Sequence, residues 1–180
     1  MMIGLVGEKL AGKDEAAAYL QKKYGAFYVK YSHILDEILG MLDLPISRRN
    51  EIDLGRALRD TFKRNVLWGG IAKRLERSTA NIKVVGSIRL EDEFELAKKL
   101  GAKIVYITAP IELRHQRLME ARREKAEDGK QSFEDFVKQE REWTEKGIPA
   151  LGAKADFRIE NTGSLEDLYG KVDIIVEELK

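Results

Sequence analysis

The sequence of 180 residues contains no cysteine, which excludes a disulfide framework and a thiolate metal site. It has no apolar run long enough to span a bilayer, and its first residues lead directly into an apolar strand pattern. We therefore expect a cytoplasmic protein without a membrane partner. Neither sign of charge dominates, because 32 Lys and Arg stand against 31 Asp and Glu and leave a formal net charge of +1. Bulk charge thus gives no reason to expect a nucleic-acid partner.

Internal repeats, linkers and low-complexity segments are also missing from the sequence. Apolar runs of strand type instead alternate with amphipathic helical patterns along the chain. This alternation predicts a single α/β domain over 1–180, a three-layer α/β/α sandwich around a five-stranded parallel sheet. The predicted strands are 2–6, 27–31, 81–89, 103–108 and 155–160.

Residues 7–14, with the sequence Gly-Glu-Lys-Leu-Ala-Gly-Lys-Asp, lie between the first strand and a helical pattern that ends at Gly25. A strand, a glycine-rich loop and a helix N-terminus in this order favour a phosphate-binding P-loop over a simple glycine-rich turn. The two glycines allow a tight backbone whose N–H groups face a phosphate chain, and Lys13 would reach the β- and γ-phosphates. We expect ATP to contact Gly7, Lys9, Ala11, Gly12, Lys13, Asp14 and Glu15.

Position 14 departs from the usual P-loop, in which a serine or threonine hydroxyl ligates Mg²⁺. Asp14 could hold Mg²⁺ directly or through water, because a carboxylate oxygen is a hard ligand. Alternatively, Asp14 only caps the helix, since negative charge is favoured in the first turn. The sequence leaves both interpretations open.

Several polar residues follow the predicted strands, at the edge where parallel sheets bind ligands. Ser32 is expected to cap the helix after the second strand, and His33 beside it is either a substrate contact or a structural histidine. Arg59 lies on a basic helix that is either a solvated face or a cover over an anionic acceptor. Arg89, just beyond the third strand, is placed to bind a phosphate with two hydrogen bonds. The predicted acceptor-binding helical insert spans about 32–80.

A strongly basic helical pattern begins after Pro110 and includes Arg117 and Arg123. A polar loop follows, and then a second helix that starts at Ser132 and continues past Arg141 through Trp143. Together they predict a helical lid at about 114–141 that closes over a triphosphate and shields it from water.

Four stretches in this order resemble the P-loop nucleoside monophosphate kinase superfamily, namely 7–14, 84–93, 107–142 and 147–164. The likeness is greatest to dephospho-CoA kinase-like proteins and archaeal adenylate-kinase-related proteins. The ending Lys13-Asp14 is similar to that of phage-type deoxynucleoside monophosphate kinases. The resemblance implies an ATP- and Mg²⁺-dependent kinase whose acceptor is a nucleoside or deoxynucleoside monophosphate. Dephospho-CoA is the alternative acceptor.

The resemblance also implies roles for single residues. The P-loop would bind the donor phosphates, and the turn with Asn161 and Gly163 would lie beside the adenine of ATP. Ser32 and His33 would line the acceptor site, and Arg59 and Arg89 would bind the acceptor phosphate. The residues that would stabilise the transferring phosphoryl group or stack on the donor base are Arg117, Arg123 and Arg141. Lys13 is the other residue expected to take part in catalysis.

Two acids of the archaeal relatives are absent, because Gly86 and His33 stand where those proteins have carboxylates. If the acids hold Mg²⁺ or receive a proton from the acceptor, Asp14 and Asp36 are the candidates to replace them. Their absence also keeps other functions open, namely a nucleotide-dependent switch with a protein partner or a weak ATPase without kinase activity.

Overall fold

A computed structural model describes residues 1–62, 66–124 and 132–180, without the side chains of Arg48 and 121–124. Within these residues one sheet of five strands is formed, and all neighbouring strands are parallel. The strand order β2-β3-β1-β4-β5 confirms the predicted five-stranded parallel sheet. The strands are β1 (Met2–Val6), β2 (Phe27–Lys30), β3 (Lys83–Ile88), β4 (Lys103–Thr108) and β5 (Phe157–Glu160).

Helices connect the strands and cover both faces of the sheet, as the predicted sandwich requires. Their bounds are α1 (Lys13–Tyr24), α2 (Tyr31–Met41), α3 (Arg48–Phe62), α4 (Val66–Arg77), α5 (Glu91–Lys99), α6 (Ile111–Glu124), α7 (Phe133–Gln139), α8 (Ile148–Gly152) and α9 (Leu165–Glu178). Helices α1 and α9 pack on one face, and α2, α4, α5 and α8 pack on the other. None of the helices in the described part of the chain is long and apolar enough to cross a membrane.

The central strand β1 shows why the sheet has two cores. Successive side chains of a strand point to opposite faces. Ile3 and Leu5 point into the core beneath α1 and α9. Gly4 and Val6 face the other core, where a Cβ on Gly4 would lie 2.6 Å from Ile104 Cδ1. Because both faces are covered, polar ligands can reach the sheet only at the edge where its strands end.

Local signals set several helix ends. Helix α1 ends at Gly25, which has a φ of +64°. Ser132 caps α7 by accepting a hydrogen bond from the Asp135 N–H. Ser164 caps α9 in the same way by accepting from the Asp167 N–H. The predicted stop at Gly25 and start at Ser132 are confirmed.

Two predictions of local structure were wrong. Ser32 does not cap α2, because that helix begins at Tyr31, whose side chain is buried in the core, and its N-cap is Lys30 without a side-chain bond. Helix α7 ends at Gln139 instead of continuing through Trp143, and turns follow up to α8. The cause of this second difference lies in the side-chain contacts of the turns, described below.

The loop between β1 and α1 packs against α9 at Leu168, and the contribution of this packing to stability can be tested there. The Leu168 side chain is fully buried and lies 3.3 Å from where a Cβ on Gly12 would be. We expect Leu168→Ala to lower the free energy of unfolding by about 2–5 kcal/mol, because it leaves a cavity in the core. Chemical denaturation measures this. Ile174→Ala is the control on the same helix, since Ile174 is 67% exposed and its loss should cost little. Equal losses in the two variants would contradict the prediction.

Candidate functional site

The loop between β1 and α1 has a backbone that only glycine allows at two positions. Gly7 has a φ of +154° and Gly12 a φ of +108°. A Cβ on Gly7 would lie 2.0 Å from the Ile107 carbonyl oxygen, and one on Gly12 would lie 2.3 Å from Asn161 Nδ2. Conformation and packing together therefore hold the loop in the tight form that turns N–H groups toward a phosphate.

Lys13 is buried at the start of α1, and its ammonium group donates a hydrogen bond of 2.6 Å to the Glu8 carbonyl oxygen. Burial, and then the positive charge of Arg89, lower the pKa of Lys13 to about 8, although nearby carboxylates, Asp14 first among them, raise it. An anion bound in the loop would favour the charged form of this lysine. The ammonium group of Lys13 is thus held against the backbone of the loop.

Asp14 makes contacts other than those of a capping residue. The Tyr28 hydroxyl donates to its carboxylate at 3.0 Å, and the Lys30 ammonium lies 3.6 Å away. Partial burial alone would raise the pKa of Asp14, but the Lys30 charge and the Tyr28 hydrogen bond outweigh it, so the net shift is downward. The side chain is 73% exposed and lines two adjoining cavities. An ionised carboxylate therefore stands beside the phosphate loop.

The empty strand-end position at Gly86 has a steric explanation. A Cβ on Gly86 would lie 2.4 Å from the Tyr28 hydroxyl oxygen, so the phenol occupies the space that an acidic side chain would need. The same hydroxyl holds Asp14. Ser87, the next residue, has a φ of +59°, and the pairing of β1 with β3 shifts register there. The Tyr28 side chain thus fills the space beside Gly86, and its hydroxyl holds the carboxylate of Asp14.

The first cavity is the candidate donor site. Arg117 donates hydrogen bonds to the Leu10 carbonyl oxygen at 3.2 Å and to the Asn161 carbonyl oxygen at 2.8 Å. The Asn161 side chain is buried and donates to the Ala11 carbonyl oxygen at 2.9 Å. The predicted donor residues that line this cavity are Lys9, Gly12, Lys13, Asp14, Glu15, Arg117, Asn161 and Gly163.

The second cavity, on the β2 side of the loop, is the candidate acceptor site. It brings together Ser32, Arg59 and Arg89 from the predicted set, with Asp14 at its border. His33 is not among the lining residues. Its ring packs edge-on against Tyr28 at 5.8 Å, and burial, with the Lys30 charge, lowers the pKa of this histidine. Asp36 does not line the cavity either, although one of its carboxylate oxygens is buried without a hydrogen-bond partner among the described residues.

Both acceptor-site arginines pair with glutamates that sequence reasoning missed. Arg59 donates to Glu93 at 2.9 Å, and Arg89 donates to Glu145. Burial raises the pKa of Glu93. The hydrogen bond from the Arg89 N–H and the positive charge of Arg59 act in the opposite direction but do not cancel this increase. The Arg59 guanidinium also lies 5.8 Å from the centre of the Trp143 ring. No local pattern could reveal these pairs, whose partners are 34 and 56 residues apart in the sequence.

The same contacts explain why α7 ends early. Trp143 and Glu145 both point to the acceptor-site arginines. Residues two apart in a helix face different sides, so a continued helix would place only one of them there. The turns after Gln139 let Trp143 reach Arg59 and let Glu145 reach Arg89.

A further side chain in the acceptor cavity was missed, that of Tyr31. The residue is only 5% exposed, and its hydroxyl is buried without a hydrogen-bond partner within the described chain. Burial, and the negative charge of Glu93, raise the pKa of this phenol. Most buried polar groups are paired, so this unpaired hydroxyl in a residue that lines the cavity is an exception.

The predicted lid is described only in part, because residues 125–131 lie outside the described residues, as does the side chain of Arg123. Arg114 is buried and donates two hydrogen bonds to Glu140, at 2.9 and 2.8 Å. It also donates to the Ala109 and Lys9 carbonyl oxygens. This arginine therefore ties α7 to the phosphate loop. Arg141 is exposed and lines neither cavity, so a catalytic role for it stays a prediction without support from this arrangement.

Comparison with solved structures establishes the fold. TT1252 from Thermus thermophilus is 21% identical to this chain and superposes with a TM-score of 0.62. The alignment covers 100% of this chain and 98% of TT1252. A shikimate kinase from Acinetobacter baumannii, solved in complex with shikimate, is 19% identical, covers 99% and 94%, and has a TM-score of 0.60. The five-stranded parallel sheet with its helices is that of shikimate kinase-like P-loop proteins.

Sequence comparison finds archaeal relatives that are 25–28% identical. A UPF0200/UPF0201 protein of Archaeoglobus fulgidus is 28% identical over an alignment of 183 positions that covers 99% of this chain and 55% of the relative. UPF0200 proteins of Saccharolobus islandicus and Sulfurisphaera tokodaii are 25% and 27% identical and are covered over 93% and 97% of their length. The chain thus spans about half of the first relative and nearly all of the other two. No protein-family model matches the sequence.

The lowered pKa of Lys13 predicts that nucleotide binding depends on pH. Below about pH 8 the ammonium group of Lys13 is already charged in the free protein. Above about pH 8 the lysine must take up a proton when the anionic nucleotide binds. We expect the affinity for ATP to fall as the pH rises from 8 to 9.5, with proton uptake that calorimetry in buffers of different ionisation enthalpy detects. Lys13→Arg keeps its charge throughout this range. A profile for Lys13→Arg with the same slope as the wild type would contradict the prediction.

Proposed function

We propose that this protein is an ATP- and Mg²⁺-dependent phosphotransferase whose acceptor is a small phosphorylated molecule, a nucleoside or deoxynucleoside monophosphate. The observation that carries the proposal is the junction of the two cavities. Asp14, Ser87 and Arg89 line both of them, beside the buried ammonium group of Lys13. A nucleotide-dependent switch needs only the donor cavity, whereas a kinase needs two sites that meet where the phosphoryl group passes.

The residues at the junction suit phosphoryl transfer, which depends on positioning and charge rather than on covalent chemistry by the protein. The loop N–H groups and Lys13 would hold the donor phosphates. Arg117, bonded to the loop and to the Asn161 turn, would keep the donor side in place. Arg89, between the cavities, would act on the group in transit.

Mg²⁺ would supply charge neutralisation across the β- and γ-phosphates. The described residues contain no cluster of three or more histidine or acidic ligands, so a dedicated metal cage is not formed by them. Mg²⁺ usually binds through one or two carboxylates together with substrate phosphates and water. Asp14 fits that requirement, because its ionised carboxylate is exposed at the donor cavity and is oriented by Tyr28.

The acceptor cavity favours an anionic substrate with a polar, partly aromatic body. Two arginines, the Trp143 ring and the Tyr31 phenol line its wall. Extending a phosphate needs no general base, whereas phosphorylating a sugar hydroxyl, as a dephospho-CoA kinase does, requires one. Glu93, the most buried acid of this cavity, is bonded to Arg59 and to two backbone N–H groups, which suits it to structure rather than to proton transfer. The monophosphate is therefore the first acceptor to test, and dephospho-CoA the second.

The test is an ADP-release assay with ATP and Mg²⁺ against all ribo- and deoxyribonucleoside monophosphates and dephospho-CoA. We expect one acceptor to stimulate ADP release. Lys13→Ala should reduce the stimulated rate by at least about 100-fold, because the buried positive charge that would stabilise the transferring phosphoryl group is lost. Lys22→Ala, an exposed lysine on the same helix, is the matched control and should keep the rate. ATP binding without release for any panel member would refute the kinase function and favour the switch.

The unpaired Tyr31 hydroxyl gives a second prediction. Because this group lacks a partner in the described structure, Tyr31→Phe should leave the unfolding free energy unchanged or slightly raised. The KM for the acceptor should rise about tenfold or more if the hydroxyl bonds to the acceptor. Thermal unfolding and steady-state kinetics measure the two effects. Tyr24→Phe, whose hydroxyl donates to Asp173 away from both cavities, should leave KM unchanged. Lost stability with an unchanged KM in Tyr31→Phe would mean a structural role.

A further inference from the structure

The two glutamates on the acceptor-site arginines are held in different ways. Glu93 lies in the first turn of α5 and accepts hydrogen bonds from the Arg89 and Leu90 N–H groups as well as from Arg59. Removing its carboxylate would leave the Arg89 and Leu90 N–H groups without this acceptor, which is unfavourable. Glu93 is therefore a fixed part of the cavity wall.

Glu145 instead lies in the turns between α7 and α8, outside regular structure. Its carboxylate pairs with the Arg89 guanidinium, and the side chain is only 9% exposed. Arg89 lines both cavities, so its ion pair with Glu145 lies at their junction. A carboxylate on an arginine at this point occupies the position that an anionic acceptor group would need.

We propose that the Glu145 carboxylate fills the anion subsite of Arg89 and that the phosphate of the acceptor displaces it. This inference rests on the proposed function, since it concerns the same acceptor site. A lone anion must compete with the resident carboxylate, whereas an acceptor that also contacts Trp143 and Tyr31 gains binding energy from elsewhere. Glu145 thus acts as a specificity-determining residue that excludes simple anions from the site.

The same turns also contact the donor side, so displacement of Glu145 has a consequence there. We define the connecting segment as residues 139–145. Gln139 accepts a hydrogen bond from the Lys9 ammonium group, and Glu140 is bonded to Arg114, which in turn donates to the Lys9 carbonyl oxygen. The segment therefore touches the phosphate loop at one end and the acceptor arginines at the other. Displacement of Glu145 would therefore disturb a segment that also contacts Lys9 and Arg114 beside the loop.

The experiment uses Trp143 as the reporter and inorganic phosphate as the probe. Trp68→Phe removes the second of the two tryptophans, and phosphate is titrated against this background with and without Glu145→Gln. We expect Glu145→Gln to bind phosphate about tenfold more tightly, because the competing charge is gone. Glu142→Gln removes the same charge from an exposed position of the same segment and should bind as the background does.

Two further variants make the test decisive. Arg89→Gln should abolish the gain when combined with Glu145→Gln, since the subsite itself is lost. If thermal unfolding shows that Glu145→Gln does not fold, Glu145→Asp, which shortens the reach to Arg89, should show a smaller gain in the same direction. Phosphate affinity that is unchanged or weaker in the folded variant, or a gain equal to that of Glu142→Gln, would overturn the proposal. These binding outcomes do not depend on ADP release, so failure of the kinase function would be seen separately.

Discussion

The structure depends on how closely the phosphate loop packs against its surroundings. Gly7 passes the Ile107 carbonyl oxygen and Gly12 passes the Asn161 side chain at distances that exclude a Cβ. This packing buries Lys13 and folds its ammonium group onto the Glu8 carbonyl oxygen. It also fixes α1, so that Asp14 emerges between the two cavities. A looser loop would place neither the lysine nor the carboxylate at the position where the cavities meet.

The end of β3 has glycine at position 86, where a carboxylate was expected, but the site does not lack a negative charge. Tyr28 fills the space beside Gly86 and donates its hydroxyl proton to the Asp14 carboxylate. A carboxylate is therefore present next to the donor cavity, although it comes from the start of α1 rather than from the end of β3. Since phosphoryl transfer requires a charge in the right place and not a given position in the chain, this arrangement is compatible with a kinase.

On the acceptor side, positive charge is already neutralised before any substrate binds. Arg59 and Arg89 each carry a glutamate, and these pairs keep the guanidinium groups oriented in a partly buried cavity. The cost is competition, because an incoming anion must replace or accommodate a carboxylate. Glu93 accepts from two backbone N–H groups as well as from Arg59, whereas Glu145 pairs with Arg89 and accepts from the Thr144 hydroxyl at 3.4 Å.

The sequence by itself determined the features that rest on local chemistry. Strand and helix periodicity predicted the five parallel strands, the spacing of Gly7, Gly12 and Lys13 predicted the loop, and Gly25 and Ser132 marked helix ends. Only the tertiary structure decided which side chains meet across the acceptor cavity. The pairings of Glu93 with Arg59, of Glu145 with Arg89 and of Trp143 with Arg59 carry no local signal, because the partners come from elements far apart in the sequence. The end of α7 and the start of α2 followed those long-range contacts and core burial rather than propensity, which is why they escaped prediction.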